Sequence, residues 1–141
     1  MAGSLTDVWE KKILDYILRN TALGLDATNI WAALFTAAPS DSATGTEVTG
    51  GSYARVPIVR TGTGWAASTG TTPATSNPAA TVTFATATAN WGTIVSFGLC
   101  NSLAGPLSTD LIFWGDLTAS KVVNSGDTAS FAAASLSVTC D

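Results

Sequence analysis

Residues 92–117 read GTIVSFGLCNSLAGPLSTDLIFWGDL. Two apolar runs, 92–100 and 110–117, flank a short stretch of turn formers. Each run is strand length and rich in β-branched and aromatic residues, and neither carries helical spacing. They read as two strands separated by that connection. The same grammar holds outward in both directions. "NIWAALFTAA" (29–38) has apolar residues on both alternating faces, as in a central strand covered on both sides. "YARVPIVR" (53–60) reads as a strand in which Pro57, lacking an N–H, marks an edge or a bulge. "TVTFATAT" (81–88) alternates cleanly, "SKVV" and "TASFAA" flank the turn "NSGD" as a hairpin, and "SLSVTC" (135–140) closes the chain. Residues 61–80 read as a long loop anchored by Trp65.

Helical periodicity occurs once. In "LTDVWEKKILDYILRN" (5–20) Leu5, Val8, Trp9, Ile13, Tyr16 and Ile17 recur at spacings of three and four. Thr6 or Asp7 is placed to accept the first free N–H groups, and Asn20 and Gly24 to end the helix. Without later helices, helical crossovers cannot join the strands into a parallel sheet. About seven or eight short strands therefore predict a mainly β fold, an antiparallel β-sandwich of jelly-roll type with one N-terminal helix. The expected division is residues 1–24 as helix and connector and residues 25–141 as the β-sandwich domain.

Only 11% of the 141 residues are charged, against about 25% in an ordinary soluble domain. Small uncharged residues take their place, which suits a protein packed against others at high density. The net charge of −4 and the lack of any Lys/Arg run argue against nucleic acid. No apolar run nears the roughly 20 residues of a membrane helix, so no membrane partner is expected. The two cysteines, Cys100 and Cys140, fit no metal motif. Both are expected as reduced thiols, with a disulfide formed after release from a cell as the alternative.

Chemistry is sparse. With no histidine, the commonest general base and metal ligand is missing. Asp110 and Asp116 flank one run, roughly 20 Å apart along an extended strand, too far to share a water. Asp41 and Glu47 share a Gly/Ser/Thr loop, where acidic residues are usually solvated turn formers. A calcium site from Asp41, Glu47 or Asp127 has no supporting spacing. The expectation is a non-enzyme without cofactor or metal. Interaction candidates are the helix residues Val8, Trp9, Ile13, Tyr16 and Ile17, together with Arg55 and Trp65. Arg55 can lay its stem on apolar surface and pair with a carboxylate or backbone carbonyls. A helix this short needs cover, from its own sheet or from a neighbouring chain. A homo-oligomer follows, with a trimer favoured over a dimer.

Several stretches in one order now carry a resemblance. They are the N-terminal helix, "IWAALFTAAPS", "GGSYARV" (Gly50, Gly51, Tyr53, Ala54, Arg55, Val56), the run through Trp91, Gly92, Phe97 and Gly98, and the run through Trp114, Gly115, Leu117, Lys121, Gly126, Asp127 and Phe131. Together they resemble a family of small tailed-bacteriophage virion proteins, variously labelled tail-fibre-like or capsid decoration (cement) proteins. The resemblance implies a virion structural protein made in the bacterial host cytoplasm. The expected role is capsid decoration on the outer head surface, with the major capsid protein as partner. A tail-fibre, baseplate or tail-tip component is the alternative, and a carbohydrate-binding module a lesser one.

Overall fold

The computed structural model describes residues 2–71 and 73–140, with only the backbone described for residues 2–4 and 140. The elements in chain order are β1 (Ala2–Leu5), α1 (Asp7–Arg19), β2 (Asn29–Ala37), β3 (Thr46–Glu47), β4 (Val56–Val59), β5 (Ala74–Ser76), β6 (Val82–Thr83), β7 (Gly92–Cys100), α2 (Leu107–Asp110), β8 (Leu111–Val123), β9 (Ser130–Phe131) and β10 (Ser137–Cys140). The fold is mainly β with an N-terminal helix, as expected. One sheet has eight strands, in the order β3-β2-β7-β8-β1-β10-β5 with β4 also on β2; a second holds only β6 and β9. This uneven division does not establish a jelly roll.

The opening stretch forms the centre of the large sheet. β7 and β8 pair antiparallel from Cys100↔Leu111 to Gly92↔Val123. β2 pairs with β7 on the other side, from Trp31↔Cys100 to Phe35↔Ser96. Ala32 to Phe35 are all buried, so β2 is covered on both faces. One face packs Leu34, Phe97, Leu99 and Val123 against Val82, Phe84, Trp91 and Leu136. The other gathers Ala33, Phe35, Cys100 and Leu111, flanked by Trp31, Leu107 and Trp114. Each large side chain buried this way contributes about 1.5–3 kcal/mol. Gly98 lies where the faces crowd: a Cβ there would stand 2.7 Å from both Leu111 Cδ1 and Phe35 Cε2.

Several expectations are corrected. The expected runs 110–117 and 120–123 merge into one strand of 13 residues, Leu111–Val123, with Asp110 falling in α2 instead. Its pairing with β7 is interrupted by a bulge between Asp116 and Lys121 and resumes at Lys121 to Val123, although Thr118 to Val122 are exposed. The anticipated hairpin does turn at Asn124–Asp127, but β9 then pairs with β6 rather than β8. The loop 61–80 contains β5, which pairs with β10. A second helical element exists, the single turn α2 between β7 and β8. β1 pairs antiparallel with β8 and parallel with β10, so segment 1–24 supplies a strand as well as α1. Thr6 is the N-cap residue, yet its side chain does not cap. Its hydroxyl instead donates to the Leu111 carbonyl at 2.8 Å, tying the helix start to β8. Asn20 ends α1 in the left-handed conformation, as expected.

Candidate interaction site

Two centres emerge, one polar and one apolar. The first surrounds Arg55, just ahead of β4. β3 and β4 both pair with the same edge of β2, the former at Phe35 and Ala37, the latter at Asn29 to Ala32. The interval at Ala33–Leu34 is left for side chains and loop backbone to complete. Val48 N donates to the Leu34 carbonyl at 3.0 Å. Leu34 N donates to the Tyr53 hydroxyl at 2.9 Å, and that hydroxyl donates to Glu47 Oε1 at 2.9 Å.

The turn before Tyr53 makes this possible. Gly51 has a φ of +55°, and a Cβ there would stand 2.9 Å from Trp91 Nε1. That nitrogen donates to the Gly51 carbonyl at 2.9 Å. Tyr53 then lies edge-on to Trp91 with ring centroids 5.4 Å apart. Burial, with the Glu47 charge beside it, raises the Tyr53 hydroxyl pKa above its ordinary value against the lowering pull of the Leu34 N–H.

Arg55 closes the arrangement. Its Nε and Nη2 donate to the two Glu47 carboxylate oxygens, each at 2.9 Å. Nη1 reaches the Asp110 carboxylate and the Ser102 carbonyl, and Nη2 also donates to the Gly105 carbonyl at 3.1 Å. Burial alone opposes the guanidinium charge, but the Glu47 hydrogen bonds and the nearby carboxylates outweigh it and hold Arg55 protonated. One side chain thus joins the β2 edge to the β7–β8 connection. Sequence reasoning gave Arg55 this class of partner but missed Asp110, which α2 turns inward while Asp116 stays exposed. Asp41 accepts from Trp114 Nε1 at 3.1 Å, and Asp127 accepts from Asn124 N inside its own turn. Among the described residues no group of three or more Cys, Asp or Glu is gathered as a metal site. Cys100 is a free, fully buried thiol; burial pushes its pKa up to about 12, the Arg55 charge pulling the other way. Cys140's side chain, and with it the disulfide alternative, lies outside the described residues.

The second centre is an apolar groove of about 720 Å³ between α1 and one face of the sheet. Trp9 and Ile13 form its helical wall, Leu99, Ile112 and Phe113 belong to its sheet wall, and Trp65 stands on the 61–80 segment. Trp9 is almost wholly buried, with Lys12 Nζ 3.8 Å from its ring centroid. Its Nε1 has no hydrogen-bond partner among the described residues. Trp65 is half-buried and packs on its own domain's core.

The candidate residues therefore separate. Trp9, Ile13 and Trp65 meet at the groove. Val8 faces a smaller cleft with Ser40 to Thr44, and Arg55 is buried in its own cluster. Tyr16 and Ile17 are exposed, at 52% and 67%, and so are two side chains that the stripe omitted, Leu14 at 56% and Leu18 at 77%. The signal for these was present: "ILDYIL" is apolar on nearly every helical face, the pattern of a helix covered all round.

Comparison with known proteins accords with this picture. Residues 4–139 match a family model described as podophage GP4 fiber I protein gp80. No curated protein matches the chain. The chain belongs to the gp80 fiber I family of phage virion proteins.

Proposed function

We propose that this phage structural protein is a fibre subunit that acts by packing against neighbouring chains, without catalysis. The observation that carries this reading is the outer half of α1, where Leu14, Tyr16, Ile17 and Leu18 stand exposed beside an open apolar groove. Covering those four side chains, each already partly shielded, is worth about 1–2 kcal/mol apiece. Association itself costs about 4–15 kcal/mol. One such contact is weak alone and becomes useful when repeated in a multivalent assembly. A homo-oligomer, with a trimer favoured, supplies that repetition.

The family's description as a fiber protein supports the fibre side of the virion. Capsid decoration draws on a different observation: only 11% of the residues are charged, which suits dense packing against other subunits. Electron microscopy of virions carrying a gold-labelled copy separates the two. Label confined to a few appendages is the expected result. Label spread over the whole head would overturn the fibre reading and establish decoration in its place.

A further inference from the structure

α1 is attached to its domain unevenly. At its inner end β1 is paired on both sides, Ser4 and Leu5 with β8, Ala2 and Gly3 with β10. Thr6 continues that attachment: its N–H donates to the Ile112 carbonyl at 3.0 Å and its hydroxyl to the Leu111 carbonyl. Trp9 follows and, among the described residues of α1, is the one buried side chain. Beyond Trp9 the hold is slight. Ile13 is half-buried, and Leu14, Tyr16, Ile17 and Leu18 are exposed.

The next firm attachment lies past the helix, in the connector to β2, and one side chain makes most of it. Asn101 directly follows β7. Its Oδ1 accepts from the Asp26 N–H at 2.8 Å, and its Nδ2 donates to the Gly24 carbonyl at 3.0 Å. Arg60 adds a hydrogen bond to the Asp26 carbonyl. Asn101 is itself fixed, since its backbone N–H donates to the Asp110 carbonyl at 2.9 Å. The next carbonyl along, that of Ser102, accepts from Arg55 Nη1 at 2.8 Å. The amide of Asn101 therefore stands on the connection that the buried ion cluster braces.

We infer that residues 10–25, the outer part of α1 with its connector, form a strap that opens as one unit. Thr6 and Trp9 are its pivot and Asn101 is its latch. This goes beyond packing against neighbours, because it concerns a motion within the single chain. Local stability follows buried apolar contact, and the strap has little of it. A free helix of 13 residues is marginal in water, so the outer turns, once detached, unravel together. Opening takes Ile13, Leu23 and Leu25 out of the groove wall and uncovers Leu99, Ile112 and Phe113 on the sheet. The latch also depends on the backbone that it grips. Gly24 has a φ of +68°, which glycine adopts without steric cost.

The test is amide hydrogen exchange, read residue by residue on the dilute full chain. In the unaltered chain the amides of residues 14–19 are expected to exchange about a hundredfold faster than those at the centre of β7, with similar protection along the segment. Asn101→Ala removes both latch bonds, which should speed exchange throughout residues 14–19 about tenfold and leave β2 and β7 unchanged. None of the helix amides bonds to Asn101, so a merely local role would not move them. Gly24→Ala is a second, independent perturbation: no atom within 4 Å obstructs the new methyl, but the left-handed backbone is strained. It should speed the same amides about fivefold or more. Acceleration confined to the Asp26 amide, which loses its own acceptor, would overturn the inference. Equal acceleration across β2 and β7 would overturn it as well, since the helix would then open only with the whole fold. So would an unaltered chain in which residues 14–19 exchange as slowly as β7.

Discussion

Replacing Arg55 with Met should be among the most damaging single changes in this protein. The guanidinium side chain is 4% exposed, and its carboxylate partners are 16% (Glu47) and 7% (Asp110) exposed. Met fills much the same volume, so the loss is electrical rather than steric. Two carboxylates are left desolvated without their cation, and the Ser102 and Gly105 carbonyls lose a donor. Removing one partner of a buried ion pair costs about 3–5 kcal/mol. For a chain of this length that lowers Tm by roughly 10–15 °C. Arg55→Lys should fall between, since an ammonium cannot fork onto Glu47 while reaching Asp110. The most informative protein is a triple variant that adds Glu47→Gln and Asp110→Asn to Arg55→Met. If uncompensated charge is the cause, this triple variant recovers at least half of the loss. Urea unfolding followed by circular dichroism and tryptophan fluorescence reads all four proteins. A loss below about 1 kcal/mol for Arg55→Met, or a triple variant no better than the single, would refute the reasoning.

Alkaline stability tests the neighbouring thiol. Cys100 is held protonated in the fold up to about pH 12, from an ordinary value of 9.0. Above pH 9 the unfolded chain has lost this proton while the native chain keeps it, so stability falls as pH rises. By pH 10.5 the loss is about 2 kcal/mol, and the raised Tyr53 pKa adds to it above pH 10. Denaturant midpoints across pH 8–11 should show a shallower decline in Cys100→Ala; an unchanged slope would count against thiol burial as the cause. Gly98→Ala tests the close packing of the sheet faces: with Phe35 and Leu111 atoms 2.7 Å from the new methyl, overpacking should cost about 1–3 kcal/mol. An unchanged melting temperature would show that those side chains yield freely.

Much of this fold is legible in the amino-acid sequence, for a reason that differs by element. β2 and β7 declare themselves because burial on both faces leaves long apolar runs. α1 does so through its spacing. β1 leaves no such trace: residues 2–5 enter the sheet through backbone pairing, which any sequence can supply. The outer part of β8 is hidden in the opposite way, since exposed Thr118, Ala119 and Ser120 look like a connection, bulging out of the ladder before pairing resumes at Lys121. Arg55 invites a carboxylate, and Glu47 is close in sequence. Asp110 lies 55 residues away and is brought inward only by the turn of α2. The groove is less readable still, because its walls come from segments spread between Leu5 and Val138.

The two centres divide the requirements of a small virion subunit. In a chain where charge is scarce, Arg55 and Asp110 are buried and Glu47 is partly buried beside them. Buried charge is a poor source of net stability compared with apolar packing of the same volume. Its effect here is positional: the fork of Arg55 fits only when the β2 edge, the turn at Gly51 and the β7–β8 connection are all in register. The apolar outer helix has the reverse character. It has no internal partner that defines it, and its worth depends on what covers it. A fold held in register from within can leave its surface poor in charge and its helix end bare. Both features suit the packing against neighbouring chains proposed above, and both would be liabilities in a protein that worked alone.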